Sequence, residues 1–148
     1  MGLTEELGEG RIALDTPVFI YFIEEHRRYL PIVRPVFLEI DTGILNAVTS
    51  GLTLLEVLVA PYREGDQRLG DRYEALLTRS RGLQLVPLDA SQLRGAARLR
   101  ARHRLSTPDA LQVTAALSTG CRTFLTNDRA MPDIPELRIL QLEDFLPR

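Results

Sequence analysis

The chain has 148 residues and a mass of 16.7 kDa, the size of one compact domain. Hydrophobic residues make up 45% and charged residues 26%, the balance of an ordinary globular protein. Cys121 is the only cysteine, which excludes an internal disulfide framework and multi-thiol zinc sites and points to a reducing cytoplasm.

The longest mainly apolar stretch, residues 52–60, contains Glu56 and falls far short of the roughly 20 residues of a membrane helix. Glu5, Glu6 and Glu9 stand where a signal peptide would be basic, so neither export by that route nor membrane insertion is expected. The formal net charge of -2 is unevenly spread. Residues 1–60 hold 4 arginines against 9 acids, residues 61–148 hold 14 against 11, and lysine is absent.

Residues 1–10 read as a polar tail, and no linker or repeat divides the rest of the chain into separate domains. Ile12-Ala13-Leu14 is a short apolar strand ending at Asp15. Asp15-Thr16-Pro17 then supplies a cap and an early proline for a helix over residues 18–27. After Pro31 and Pro35 the pattern predicts a helix over residues 36–41 and a strand over 44–48. Ser50 and Gly51 open a helix that carries Glu56 and ends near Pro61.

Leu69, Tyr73, Leu76 and Leu77 give residues 66–81 a helical apolar face, stopped by Gly82. Residues 83–88 form a third strand. Asp89 or Ser91 caps a helix to about His103, and Ser106-Thr107-Pro108 starts another that stops at Gly120. Residues 121–126 and 137–142 complete the strands. Short β-rich runs alternating with longer helices predict a three-layer α/β/α fold around a central, mostly parallel sheet.

Four acids stand where a purely structural account is strained. Glu56 interrupts an apolar helix, with Leu52, Leu55 and Val59 expected on its own face, so its carboxylate is drawn toward the core. A buried charge there must be protonated, paired or bound to a cation. Asp15 and Asp128 each follow a strand, and the carboxyl ends of parallel strands line the crevice where ligands bind. Asp109 lies at a helix start. Singly, each has a bland reading: a solvated Glu, a helix cap, an Asx turn, an acid favouring the helix dipole. Together they would form a cluster of like charges that hard divalent cations tolerate best.

Leu14-Asp15-Thr16, Leu55-Glu56-Val57, Thr107-Pro108-Asp109-Ala110-Leu111 and Leu125-Thr126-Asn127-Asp128-Arg129 resemble, in order and spacing, the acidic signatures of the PIN-domain nucleases, and among them the VapC-type toxins. The resemblance runs over residues 11–142, with Pro17 standing where the family commonly has a small polar residue. It implies a PIN-like fold and an endoribonuclease, dependent on Mg²⁺ or Mn²⁺ and acting on single-stranded or loop RNA. It also implies a homodimer, restrained by a cognate antitoxin protein. Carried over by position, Asp15, Glu56, Asp109 and Asp128 are the metal-binding and catalytic acids, with Thr16, Thr126 and Asn127 as supporting polar residues.

Metal-free cleavage of RNA usually needs paired imidazoles, yet His26 and His103 both sit in charged, solvated surroundings. A haloacid-dehalogenase-like phosphatase would need a second Asp two positions after Asp15, where Pro17 stands. The run Arg94, Arg98, Arg100, Arg102, Arg104 and the isolated Arg129 are candidates for contacts to RNA phosphates, with Arg129 and Arg100 the residues singled out. Two alternatives stay open: an RNA- or protein-binding module without turnover, and an RNA-processing nuclease unconnected with any toxin pair.

Overall fold

The computed structural model describes residues 2–147. Five parallel strands, β1 (Arg11–Leu14), β2 (Asn46–Ser50), β3 (Leu83–Val86), β4 (Thr123–Thr126) and β5 (Arg138–Gln141), lie in the order β3-β2-β1-β4-β5. The chain builds outward from β1 on one side and then returns to add β4 on the other. The seam between β1 and β4 is therefore the topological switch point at which open α/β sheets form a crevice.

Alternation along the strands divides the core. Ile12, Leu14, Ala47 and Leu125 point to one face, where they pack with α2 (Thr16–Ile23), α3 (Leu30–Asp41), α4 (Leu52–Glu64) and α5 (Gln67–Arg79). Ala13, Val48 and Phe124 point to the other, against α6 (Ala90–Arg102) and α7 (Thr107–Ser118). This is the expected three-layer α/β/α arrangement. The free thiol of Cys121 is buried in the second layer. Among the described residues no helix is long and apolar enough to cross a membrane.

Several boundaries differ from expectation, each for a physical reason. Residues 2–10 of the expected polar tail are partly ordered into the fold: α1 (Leu3–Leu7) buries Leu3 and Leu7 in the first core layer, and the Arg138 guanidinium pairs with Glu6 at 3.4 Å. Helix α3 starts at Leu30 rather than near residue 36 and carries Pro35 inside it. The buried stripe Val33, Val36, Phe37, Ile40 has helical spacing, and its burial outweighs the lost backbone bond. For the same reason α4 runs through the buried Pro61 and stops only where Gly65 takes a left-handed conformation, φ 68°.

Helices α6 and α7 approach closely at Gly95, where an added Cβ would lie 2.6 Å from Thr114 Cγ2. That contact needs glycine despite its poor helix propensity.

Candidate active site

The carboxyl ends of β1 and β4 deliver the first two acids. Asp15 caps α2, its Oδ1 accepting from Thr16 N–H at 2.8 Å, while its own N–H donates to Leu125 O at 2.9 Å and prolongs the β1–β4 ladder. The Thr126 hydroxyl donates to Asp15 Oδ2 at 2.7 Å. Asp15 is thus the cap its sequence allows and also a buried carboxylate, only 8% exposed. Asp128 lies two residues past β4, in an Asx turn in which its Oδ1 accepts from Ala130 N–H at 2.9 Å. Its backbone N–H donates to Thr126 Oγ1 at 3.1 Å, so one threonine braces both acids.

Asp109 stands in the first turn of α7, whose N-cap is Ser106. Burial pushes the Asp109 carboxyl up, the Ser106 hydroxyl opposes this, and the negative charges of Asp128 and Glu56 reinforce it. Asp15 behaves alike. Burial raises it most strongly, hydrogen bonds from Thr126 and Thr16 pull it down, and Asp109 and Glu56 push it up again. The four acids therefore share one electrostatic neighbourhood at the crevice.

Glu56 is not drawn into the core as expected from Leu52, Leu55 and Val59. The buried side of α4 carries Thr53, Val57 and Leu58, whereas Leu55 is 59% and Val59 43% exposed. Glu56 itself is exposed, and the Thr16 hydroxyl donates to its Oε1 at 2.6 Å.

Among the described residues no three His, Cys, Asp or Glu side chains are gathered tightly enough to hold a metal ion as they stand. The donors nevertheless suit a hard divalent cation: all are carboxylate oxygens, and burial together with neighbouring negative charge raises the Asp15 and Asp109 carboxyls at a partly buried sheet edge. Positive charge there would relieve a cost that water relieves only in part.

The remaining candidates have distinct placements. Thr16 and Thr126 contact the acids directly. Asn127 faces away from them, donating to Tyr21 Oη at 3.2 Å and accepting from Glu143 N–H. Arg129 is exposed and paired with Glu143 at 3.2 Å and Asp144 at 2.5 Å. Arg100 clasps the loop ahead of α7, donating to Leu105 O at 3.0 Å and Thr107 Oγ1 at 2.9 Å. It shapes the turn that presents Asp109.

Sequence reasoning missed a buried polar network below the acids, formed by Thr49, Thr53 and Gln112. Gln112 Nε2 donates to Thr53 Oγ1 at 2.8 Å and Thr16 Oγ1 at 3.3 Å. Its Oε1 accepts from Ser50 N–H at 3.2 Å. The one available signal was a lone long polar residue, Gln112, inside the apolar run of α7.

A parallel α/β sheet with carboxylates following both strands of its switch point defines a class of acidic-crevice domains. Residues 12–137 match the PIN domain model, and the chain belongs to the PIN domain family. No curated protein matches it. Among solved structures it is similar to VapBC2 from Rickettsia felis bound to a promoter DNA fragment, at 16% identity and TM-score 0.67 over 89% of this chain and 98% of that one. It is also similar to Mycobacterium tuberculosis VapC20, a sarcin-ricin loop cleaving toxin, at 16% identity and TM-score 0.66 over 80% and 91%. DNA-bound VapBC from Salmonella typhimurium gives 20% identity and TM-score 0.63 over 90% and 99%. At these identities the likeness is one of fold.

Proposed function

We propose that the protein is an Mg²⁺- or Mn²⁺-dependent endoribonuclease that hydrolyses phosphodiester bonds of single-stranded or loop RNA, acting in the cytoplasm as the toxin of a toxin–antitoxin pair. The observation that carries this reading is the placement of the acids at the β1–β4 switch point: Thr126 bridges Asp15 and Asp128, Thr16 links the Asp15 cap to Glu56, and Asp109 stands in the first turn of α7. PIN family membership and the VapC-like fold support it.

In this reading the four acids hold the cation, which when bound supplies Lewis-acid activation of water and neutralises charge growing on the phosphodiester. The chain's own part is positional. Thr126 and the α2 N-terminus fix Asp15, Thr16 fixes Glu56, and the Asx turn together with Thr126 aims Asp128. Asp109, with its raised proton affinity, is suited to hold a proton transiently at its carboxylate. By family resemblance, the products would carry a 5′-phosphate and a 3′-hydroxyl. Arg94, Arg98, Arg102 and Arg104 are exposed and, among the described residues, without ion pairs, which suits them to RNA phosphates.

The partner readings rest on two surfaces. A cavity of about 380 Å³ lined by Phe22, Phe37, Leu38 and Leu76, and by two arginines, Arg34 and Arg81, against one acid, Asp41, suits an apolar, acidic antitoxin segment. On α4, Leu55, Val59 and Tyr62 form an exposed apolar stripe at helical spacing, and this supports a homodimer.

The acids are not gathered as a three-ligand set, and that observation favours a second reading, an RNA- or protein-binding module without turnover. Incubating the protein with single-stranded RNA in Mn²⁺ or in chelator separates the two. Metal-dependent fragments, lost in Asp15→Asn and Asp128→Asn, support the nuclease. Retarded but intact RNA supports the module, and undiminished Mn²⁺-dependent cleavage by both variants would falsify the site assignment.

A further inference from the structure

We propose that Gln112 is a positioning residue that sets the polarity of a buried hydrogen-bond chain ending on Glu56, and so fixes the carboxylate offered to the cation. This role rests on the nuclease reading above and follows from where each proton of the network can go. Gln112, Thr16, Thr49 and Thr53 are all buried, Gln112 being 2% exposed. A buried carboxamide is costly unless its groups are used.

The amide orientation follows from Ser50. A backbone N–H can only donate, so the Gln112 atom 3.2 Å from Ser50 N is Oε1, and Nε2 must face the hydroxyls of Thr53 and Thr16. Thr49 donates to Leu14 O at 2.8 Å. Its hydroxyl proton is thereby committed, and the 2.7 Å contact between Thr53 and Thr49 makes Thr53 the donor. Both protons of Nε2 are then accepted by hydroxyls whose own protons point elsewhere. The proton of Thr16 is directed to Glu56 Oε1 at 2.6 Å.

The chain thus runs one way, from Gln112 through Thr16 to Glu56. Apart from this hydroxyl, no hydrogen bond reaches the Glu56 carboxylate among the described residues. Exposed on α4, Glu56 would otherwise sample many rotamers. Gln112 contributes by donating to the Thr53 hydroxyl, which lies 3.2 Å from Thr16 and competes with Glu56 for the Thr16 proton, and it leaves Oε2 of Glu56 free.

The test is a double-mutant cycle of Gln112→Met and Thr16→Val, read by calorimetric Mn²⁺ affinity, by kcat and KM for RNA, and by melting temperature. Each single variant should weaken Mn²⁺ binding and lower kcat by about 10–100-fold with KM unchanged. The double variant should lose no more than the worse single. Losses that multiply, or a Gln112→Met protein that matches wild type, overturn the proposal. Should Gln112→Met not fold, Gln112→Glu retains the acceptor for Ser50 but presents only acceptors to Thr16, drawing its proton from Glu56. Despite its added negative charge it should bind Mn²⁺ roughly tenfold more weakly, and unchanged or tighter binding overturns the role of Gln112. Wild-type protein that neither binds Mn²⁺ nor cleaves RNA overturns the nuclease reading together with this inference. Normal wild-type behaviour with an indifferent Gln112 overturns this inference alone.

Discussion

The hydroxyl of Thr126 donates to Asp15 Oδ2 at 2.7 Å and accepts from the backbone N–H of Asp128 at 3.1 Å, so one side chain ties together the acids that follow β1 and β4. Thr126 is fully buried, and no water can replace it without cost. Thr126→Val should therefore leave Asp15 Oδ2 unsatisfied and lower stability by about 1–3 kcal/mol. Mn²⁺-dependent cleavage should fall by about 10–100-fold, whereas Thr126→Ser retains most of both. Denaturant melts and single-turnover cleavage of a labelled RNA check the pair. Equal activity of the Val and Ser variants would detach Thr126 from the site.

Asp15 and Asp109 both hold their protons more tightly in the folded chain than in an unfolded one, chiefly through burial. The stability this contributes is complete below the unfolded aspartate value of about 4. It disappears as pH rises through the higher folded values, so at neutral pH the metal-free protein carries the cost of two strained carboxylates. Asp15→Asn keeps a competent helix cap and should melt a few degrees above wild type at about pH 7, with the advantage shrinking toward pH 4. Millimolar Mn²⁺ should raise the wild-type melting temperature and leave Asp15→Asn nearly unmoved. Scanning calorimetry at two pH values in chelator and in Mn²⁺ measures both effects. A variant that melts below wild type at pH 7 contradicts the electrostatic account.

The strand–acid junctions were legible because local chemistry and tertiary role coincide there. A short apolar run ending in Asp-Thr-Pro reads as strand, cap and helix start, and Asp15 is all of these. Where burial overrides local preference, legibility fails. Pro35 reads as a breaker, yet the stripe of Val33, Val36, Phe37 and Ile40 holds α3 together around it. The inward face of α4 was misread for a related reason. Thr53 is buried in a polar network while Leu55 and Val59 face outward, so polarity and burial are exchanged on that helix. Gln112 stayed hidden because its partners, Ser50 and Thr53, lie 62 and 59 residues away.

The junction of α6 and α7 carries Asp109 and Gln112 into place, and its closeness depends on Gly95. In Gly95→Ala the helix-propensity gain of about 1 kcal/mol competes with a Cβ placed 2.6 Å from Thr114 Cγ2. Overpacking costs about 1–3 kcal/mol, so the variant should be less stable and, through displacement of α7, less active. Thr114→Ser removes the offending methyl and keeps the hydroxyl bonded to Ala110 O. Combined with Gly95→Ala it should recover the loss. Urea unfolding of both singles and the double gives the answer, and failure of the serine to rescue would place the strain elsewhere.

Arg129, beside Asp128, is a candidate phosphate contact whose guanidinium is occupied by Glu143 and Asp144 in the free protein. All three side chains are about half exposed, at 54%, 53% and 58%, so screening by water leaves the pairings little weight in folding. Their effect should instead appear in RNA binding, because an RNA phosphate must compete with two carboxylates for one fork. Glu143→Gln with Asp144→Asn should release the guanidinium and tighten RNA binding at low salt. The slope of log affinity against log salt should steepen by about 0.7 for one added phosphate contact to a single strand. Adding Arg129→Ala to that double variant should reverse both changes while melting temperature stays nearly constant. Fluorescence anisotropy with an uncleavable single-stranded oligonucleotide, titrated across salt in chelator, measures the slope. A slope indifferent to Arg129 in the acid-free background would mean that the residue serves only to hold the short segment that carries Glu143 and Asp144.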